Sequence, residues 1–428
     1  MGKKTITRAA IIIVTAGALS MLAIESASAL VLVGGDNGFE ISFDGNVNGF
    51  GVYIDGDDLP STAASTGGTL LISEQDGFRV TTGYLPATLG FNVKAPTWKG
   101  LDMGARIAFY PQIQNANRKN QFGLLLDSGI QAGAQIDMRE AYFTVEGSFG
   151  KALIGRKIGI YMGTNVLRDM TLYGAGITVG TAFGVPTIGR IGVGYLYSNF
   201  NAVIQYTTPD FGGFKVTAGI DDPSIIAGDG VTASETASPR GEGEISYARK
   251  FGDADVFAWF SGMVQNAEFV SGQNPACEAL GGCQGDVTVS GIGWGISLAY
   301  KDFAVQASGF DGDGAGTALQ LDTDSLDITG DKRDANGYLF QGTYTFPNRL
   351  GSTKIGLQYG QTNIDRTAAE SSGNINVLKE RTAWTAGVYH DVNEWLKLIA
   401  EYTNFEQKWF DGSDQTTNIV GVGAMFTW

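Results

Sequence analysis

The chain has 428 residues, 29 basic and 44 acidic, with a formal charge of −15 at pH 7. Only 17% of residues are charged and 43% are hydrophobic, with 62 glycines, whereas an ordinary soluble domain carries about 25% charge. Glycine without a three-residue period excludes collagen, plentiful apolar residues exclude a disordered chain, and a net negative chain with no basic block excludes a nucleic-acid partner.

Taken in chain order, the first element is an export signal. Lys3, Lys4 and Arg8 precede an apolar run over 9–24, and Ala27, Ser28 and Ala29 form a small-x-small cleavage site. This predicts a secretory signal peptide over 1–29, followed by one domain over 30–428. Removing Lys3, Lys4, Arg8 and Glu25 with the signal leaves 26 basic and 43 acidic residues, a charge of −17. No later stretch approaches the 18 apolar residues that a transmembrane helix needs.

From there on the pattern has a period of two. GFEISFDGNVNGFGVY puts Phe39, Ile41, Phe43, Val47 and Tyr53 on one face, with Glu40, Ser42, Asp44, Asn46 and Asn48 opposite. The last segment, TTNIVGVGAMFTW, aligns Val420, Val422, Ala424, Phe426 and Trp428. A strand with one greasy and one wet side gives this alternation. Sixteen such segments are predicted, at 39–54, 78–93, 101–113, 134–147, 151–161, 191–207, 212–220, 241–249, 254–264, 291–300, 303–310, 336–346, 352–361, 382–390, 395–405 and 418–428.

The connections alternate between short and long. TWKG, PDFGG, KFGD, KD, PNRLG and DVNE are short; 55–77, 114–133, 162–190, 221–240, 265–290, 311–335, 362–381 and 406–417 are long. All tight turns then lie at one rim and all long loops at the other. The predicted fold is therefore an all-β transmembrane antiparallel barrel of sixteen strands, with short periplasmic turns and long extracellular loops, in the outer membrane of a Gram-negative bacterium. Lipid leaves no partner for an exposed backbone donor, so the sheet must close on itself. Packed soluble sandwiches would have no reason to sort their loops by length.

Segments 139–161 (REAYFTVEGSFGKALIGRKIGIY) and 203–220 (VIQYTTPDFGGFKVTAGI), together with the strand ending in Trp428, carry a family likeness. The chain resembles the Gram-negative general porins, sixteen-stranded trimeric diffusion channels. Those proteins commonly end in Phe, and Trp428 departs from that while keeping a terminal aromatic. The resemblance implies a homotrimer and passive passage of small hydrophilic solutes. It also implies a third loop folded inward, and recognition of the last strand by the barrel-assembly machinery; outer-membrane lipid and lipopolysaccharide are the expected surroundings. A substrate-selective channel is the alternative, and a loop-based adhesin or receptor a more distant one.

Loop 162–190 is the longest and carries only Arg168, Asp169 and Arg190 as charges. So apolar a connection suits packing against the inside of the wall, as a constriction loop. Asp169 is then expected to face the eyelet and attract cations, opposite Arg79, Arg106, Arg139 and Arg156, with Lys94 and Lys157 as weaker candidates. Arg106 and Asp102 oppose the Leu101, Met103, Ile107 and Phe109 face and so point inward. Arg79 does so only if the phase shifts near Gly83. The family's glycine-arginine pair, matched by Gly155 and Arg156, implies a pore-lining role for Arg156. Glu40 and Asp44 are expected on the lumen face by alternation. The acidic balance favours a cation preference, and the field at the narrowest section governs how far it is expressed.

Cys277 and Cys283, the only cysteines, are expected to form a small disulfide loop in an exported chain. No cofactor is expected. The acidic stretch 311–335, with Asp322, Asp324 and Asp327, reads as a solvated loop or, more weakly, as a loose site for Ca2+. His390, the only histidine, sits beside a short turn with no nucleophile motif, so no enzymatic role is expected.

Overall fold

A computed structural model of the protein describes residues 30–34, 38–61, 76–114, 136–178, 187–322 and 324–428. The expected signal peptide, 1–29, lies outside the described residues, as does 179–186 of the expected inner loop.

Sixteen strands cross the wall. They are β1 (Glu40–Gly56), β2 (in two pieces, Asp76–Thr81 and Thr88–Lys94), β3 (Asp102–Pro111), β4 (Ile136–Gly147), β5 (Gly150–Ile158), β6 (Phe200–Thr207), β7 (Phe214–Asp221) and β8 (Arg240–Phe251). Then follow β9 (Ala254–Glu268), β10 (Asp286–Tyr300), β11 (Phe303–Asp313), β12 (Asp334–Asn348), β13 (Gly351–Ile364), β14 (Leu378–Asp391), β15 (Leu396–Trp409) and β16 (Asp414–Thr427). Sequential neighbours pair antiparallel, and β16 returns to β1 from Asn46↔Thr427 to Gly56↔Thr417. Closure removes the free edges that hydrocarbon would leave unsatisfied. Below that seam the backbone of Leu30–Gly34 runs along Glu40–Phe43, and Trp428 exchanges both backbone hydrogen bonds with Gly45.

The predicted alternation is realised. Ile41, Ile107, Phe143, Ile204, Phe260 and Val422 are exposed on the outer face, Val422 by 58%. Aromatic pairs such as Phe214–Tyr247 and Phe303–Tyr344, each 4.5 Å between centroids, sit near the turn rim, where interfacial girdles belong. Two-residue hairpins need a positive φ in the turn; Gly252 supplies 61° after β8, and Lys301 takes 53° after β10.

Many strands run a few residues past their predicted bounds, and four further differences change the reading. The long loop expected over 406–417 is a tight hairpin, because β15 and β16 continue to Trp409 and Asp414. The segment expected to begin at 191 enters the wall only at Phe200, and 191–199 belongs to the inner loop. The segment expected to run to 161 leaves the wall after Ile158. Strand β2 is interrupted over 82–87, and the interruption shifts its phase: Phe78 and Val80 face outward before it, Phe91 and Val93 after it. Cys277 and Cys283 are joined in the extracellular loop after β9, as expected.

The packed core lies inside the barrel. The connection 159–199 carries α1 (Gly163–Leu167), a 3-10 turn (Met170–Tyr173) and two short paired strands. Its apolar residues pack on the inner wall in two clusters, one of them joining Ala175, Ile177 and Val193 to Phe50, Val52, Ile54, Ile399, Phe405, Ile419 and Met425.

Candidate functional site: the lumen and its inner loop

The inner loop is tied to the wall by side chains from strands far apart around the barrel. Glu242 on β8 accepts from the backbone N–H groups of Ile160 and Tyr161 (2.7 and 2.9 Å), and Glu244 accepts from Thr164 Oγ1 (2.6 Å). Trp259 on β9 donates to Asn165 Oδ1 (2.8 Å). Arg168 donates to Ser297 on β10 and lies 3.8 Å over the Phe257 ring. Across the lumen, Glu401 on β15 accepts from the N–H groups of Ala175 and Gly176 (2.7 and 2.8 Å) and from Tyr389. The interrupted segment of β2 completes the frame: Tyr84 and Leu85 N–H donate to the carbonyls of Gly174 and Leu172, each at 2.9 Å. A loop anchored at β8, β10, β15 and β2 traverses the interior.

Asp169 does not face an open lumen. It is only 3% exposed, and its carboxylate accepts from Thr171 N–H, from Tyr195 Oη (2.5 Å) and from Gln358 Nε2 (2.7 Å). The same Gln358 accepts from Arg190 Nε (2.7 Å). Burial pushes the Arg190 guanidinium down to about 10, with Asp169 the strongest group opposing that. Burial likewise lowers Arg168 to about 10, against Glu244. A buried carboxylate with three donors fastens the loop, and this replaces the expected eyelet role with a structural one.

The charged face left uncovered is on β1–β6. Arg106 is the hub, pairing with Asp44 at 2.7 Å and Glu140 at 2.9 Å and donating to Asn92 at 2.9 Å. Tyr110 Oη donates to Glu140 at 2.8 Å. The Arg106, Asp44 and Glu140 side chains keep 18%, 30% and 15% of their surface exposed. Arg139 pairs with Asp137 at 2.8 Å and lies over Tyr110 and Phe200. Its direction comes from a bulge. The β3–β4 register passes from Ala108↔Glu140 to Phe109↔Met138, leaving Arg139 as the extra residue; strict alternation would have sent it outward with Ala141 and Phe143.

The remaining candidates separate by position. Arg79 points inward as the phase shift requires, but it is buried opposite Val52. Glu40 and Asp102 are exposed at the turn rim, opposite Lys94 and Glu146 respectively, away from the inner loop. Arg156 stands opposite Ala141 and Ala202, in register with outward Phe143, Ile154 and Ile204. Gly155 before it takes a φ of 139° and Ile158 after it packs on the interior cluster, so strict alternation does not carry through Arg156; the neighbouring Lys157 stands opposite inward Asn201. Glu140 and Glu401 were not singled out from sequence. For Glu140 the signal was present in REAYFTVEG, where outward Phe143 and Val145 fix the phase; for Glu401 nothing local distinguished it. Asp324 and Asp327, expected in a solvated loop, are buried and accept from Thr317 (2.9 Å) and Thr367 (2.6 Å). With Asp322 they form no ion cage; among the described residues no group of three or more His, Cys, Asp or Glu is placed to hold a metal.

Comparison with known proteins agrees with this architecture. The outer-membrane channel DcaP of Acinetobacter baumannii superposes with a TM-score of 0.64 at 16% identity, covering 92% of this chain and 99% of that one. The anion-selective porin from Comamonas acidovorans gives 0.56 at 15%, covering 91% and 100%. Salmonella typhi OmpF, solved with daunomycin, gives 0.55 at 13%, covering 92% and 99%. No sequence among curated proteins matches. The model describing the Gram-negative porin matches residues 9–425, and the chain belongs to that family.

Proposed function

We propose that solutes cross this outer-membrane porin between the inner loop and the β3–β5 wall, where Arg106, Arg139 and Lys157 face Asp44, Glu140 and Asp137. The protein is a passive diffusion channel for ions and small hydrophilic solutes. The observation carrying the assignment of the path is the Arg106 cluster, a charged inner-wall group that joins β1, β3 and β4 and stays partly exposed. Acids and bases alternate there and neutralise one another at contact distance, so size selects strongly and ion sign weakly. The single histidine supports a non-enzymatic reading: His390 Nδ1 lies 2.9 Å from Thr353 Oγ1 at the turn rim, while neighbouring Asp391 is taken by Lys397.

In the membrane we propose a homotrimer, as in the trimer form of Vibrio cholerae OmpT among the similar structures, surrounded by lipid and lipopolysaccharide. The terminal strand, with Trp428 folded onto Phe43 at 5.7 Å, offers its aromatic end to the assembly machinery. Planar-bilayer recording tests the channel reading. Purified mature protein is expected to give discrete conductance steps, and a neutral-sugar series to define one size limit; folded barrels giving no steps would leave the receptor reading in its place.

A further inference from the structure

Much of the extracellular connection between β11 and β12, in its described residues 314–322 and 324–333, is buried. Thr317, Ser325, Leu326, Asp327 and Arg333 are all essentially inaccessible. Its contacts trace a path across the mouth. The Ala318 carbonyl accepts from Tyr197 N–H (2.8 Å) at the end of the inner loop, and Gln320 Nε2 donates to the Tyr161 carbonyl (3.2 Å) near its start. Leu321 and Ser325 exchange backbone hydrogen bonds with Ala227 in the loop after β7 (3.0 and 3.1 Å). On the other side, Arg381 of β14 donates to the Thr317 carbonyl (3.1 Å). A connection rooted at β11–β12 therefore reaches both ends of the inner loop, the loop after β7 and strand β14 together. Its Ala315, Ala318, Leu321 and Leu326 share one apolar cluster with Tyr161, Met162, Tyr195 and Leu196 of the inner loop.

Three neighbouring loops clamp it. Arg333 donates to Asp229 and Glu370 and to the Leu326 carbonyl (2.9 Å). Asp327 accepts from Thr367, whose capping box with Glu370 fixes the short helix Ala368–Ser372. Cys283 N–H, in the disulfide-closed loop, donates to the Thr329 carbonyl (3.3 Å). A buried arginine shared by two carboxylates is costly to break, because removing it takes the balancing cation from both.

We infer that 314–333 is a second, extracellular restriction in the permeation path, latched by Arg333, which sets a size limit before solutes reach the inner loop. The inference rests on the channel reading and adds to it a specificity-determining element. Two variants test it: one with 316–331 replaced by a short glycine-containing turn, and Arg333→Gln. Single-channel conductance and liposome swelling in sugars of increasing size are measured, with barrel folding checked by heat-modifiable migration. Shortening is expected to raise conductance about twofold and to admit larger sugars, since it widens and shortens the narrow path. Arg333→Gln is expected to shift both in the same direction by less, with added current noise. Should the shortened chain fail to insert, Arg333→Gln alone decides. Unchanged conductance and size limit in the folded variants would overturn the second restriction while wild-type steps kept the channel reading intact. Silence from every folded protein would overturn both.

Discussion

Two arcs of the same wall have similar outer faces and opposite inner ones. Around β1 and β14–β16 Tyr53, Trp384, Leu398 and Val422 are exposed on the outer face, and around β3–β5 Ile107, Phe143 and Ile154 are exposed likewise. Inside, the first arc presents Phe50, Val52, Ile54, Ile399, Phe405 and Ile419, whereas the second presents Arg106, Tyr110, Glu140 and Lys157. The outer face is apolar on both arcs; the inner face answers to whatever covers it. Where the loop lies against the wall, each fully buried Ile or Phe contributes about 1.5–3 kcal/mol. There an apolar lumen face is stabilising. Where water remains, charges take its place.

The comparison is broken most severely at Glu401, the carboxylate that holds the loop to the apolar arc. Glu401→Ala strips acceptors from two backbone N–H groups and the Tyr389 hydroxyl at once. Leaving such buried donors unpaired costs about 1–3 kcal/mol each. The expected result is a thermal or denaturant transition lowered by several kcal/mol, with an inner loop that releases from the wall. Single-channel records should then show larger, noisier currents. Full stability with quiet steps would mean that apolar packing alone positions the loop.

A smaller effect, confined to ion selection, is expected on the open arc. Arg106→Ala removes the cation that Asp44 and Glu140 share and leaves two carboxylates beside the proposed path. The cation/anion permeability ratio, read as the reversal potential in a tenfold salt gradient, should rise severalfold and should fall back as ionic strength increases. A reversal potential equal to that of the wild type would show that ions pass elsewhere and would unseat the β3–β5 path.

The wall was legible in the sequence because alternation between lipid and lumen leaves a period-two trace, and because loop length sorted the rims. The inner loop was legible too: a long connection with three charges among Leu, Ile, Val and Phe has nowhere stable to lie except against the wall. Individual side chains were harder to place, for identifiable reasons. Arg139 needed a bulge, and Arg79 a phase shift across 82–87. The acidic loop 311–335 misled in a different way. Its many aspartates suggested solvent, yet Asp324 and Asp327 find Thr317 and Thr367 as partners only after distant loops are brought together. Composition records how many charges a segment has, and contacts across the sequence decide where they are spent.

The smallest effect on current is expected at the residue the sequence placed in the eyelet. Asp169 sits between Tyr195, Thr171 and Gln358, with Gln358 passing the interaction on to Arg190. Asp169→Asn keeps the shape and removes the charge. A neutral amide can accept from Tyr195 or Gln358 but no longer balances Arg190 in a dry setting, so stability should fall by about 1–3 kcal/mol. Because the carboxylate is shielded from the lumen, the reversal potential should move far less than with Arg106→Ala. The two measurements on one variant separate the roles: a loss of stability at constant selectivity identifies an anchor. A marked drop in the cation/anion ratio at constant stability would return Asp169 to the permeation path and place the narrowest section beside the inner loop's own charge.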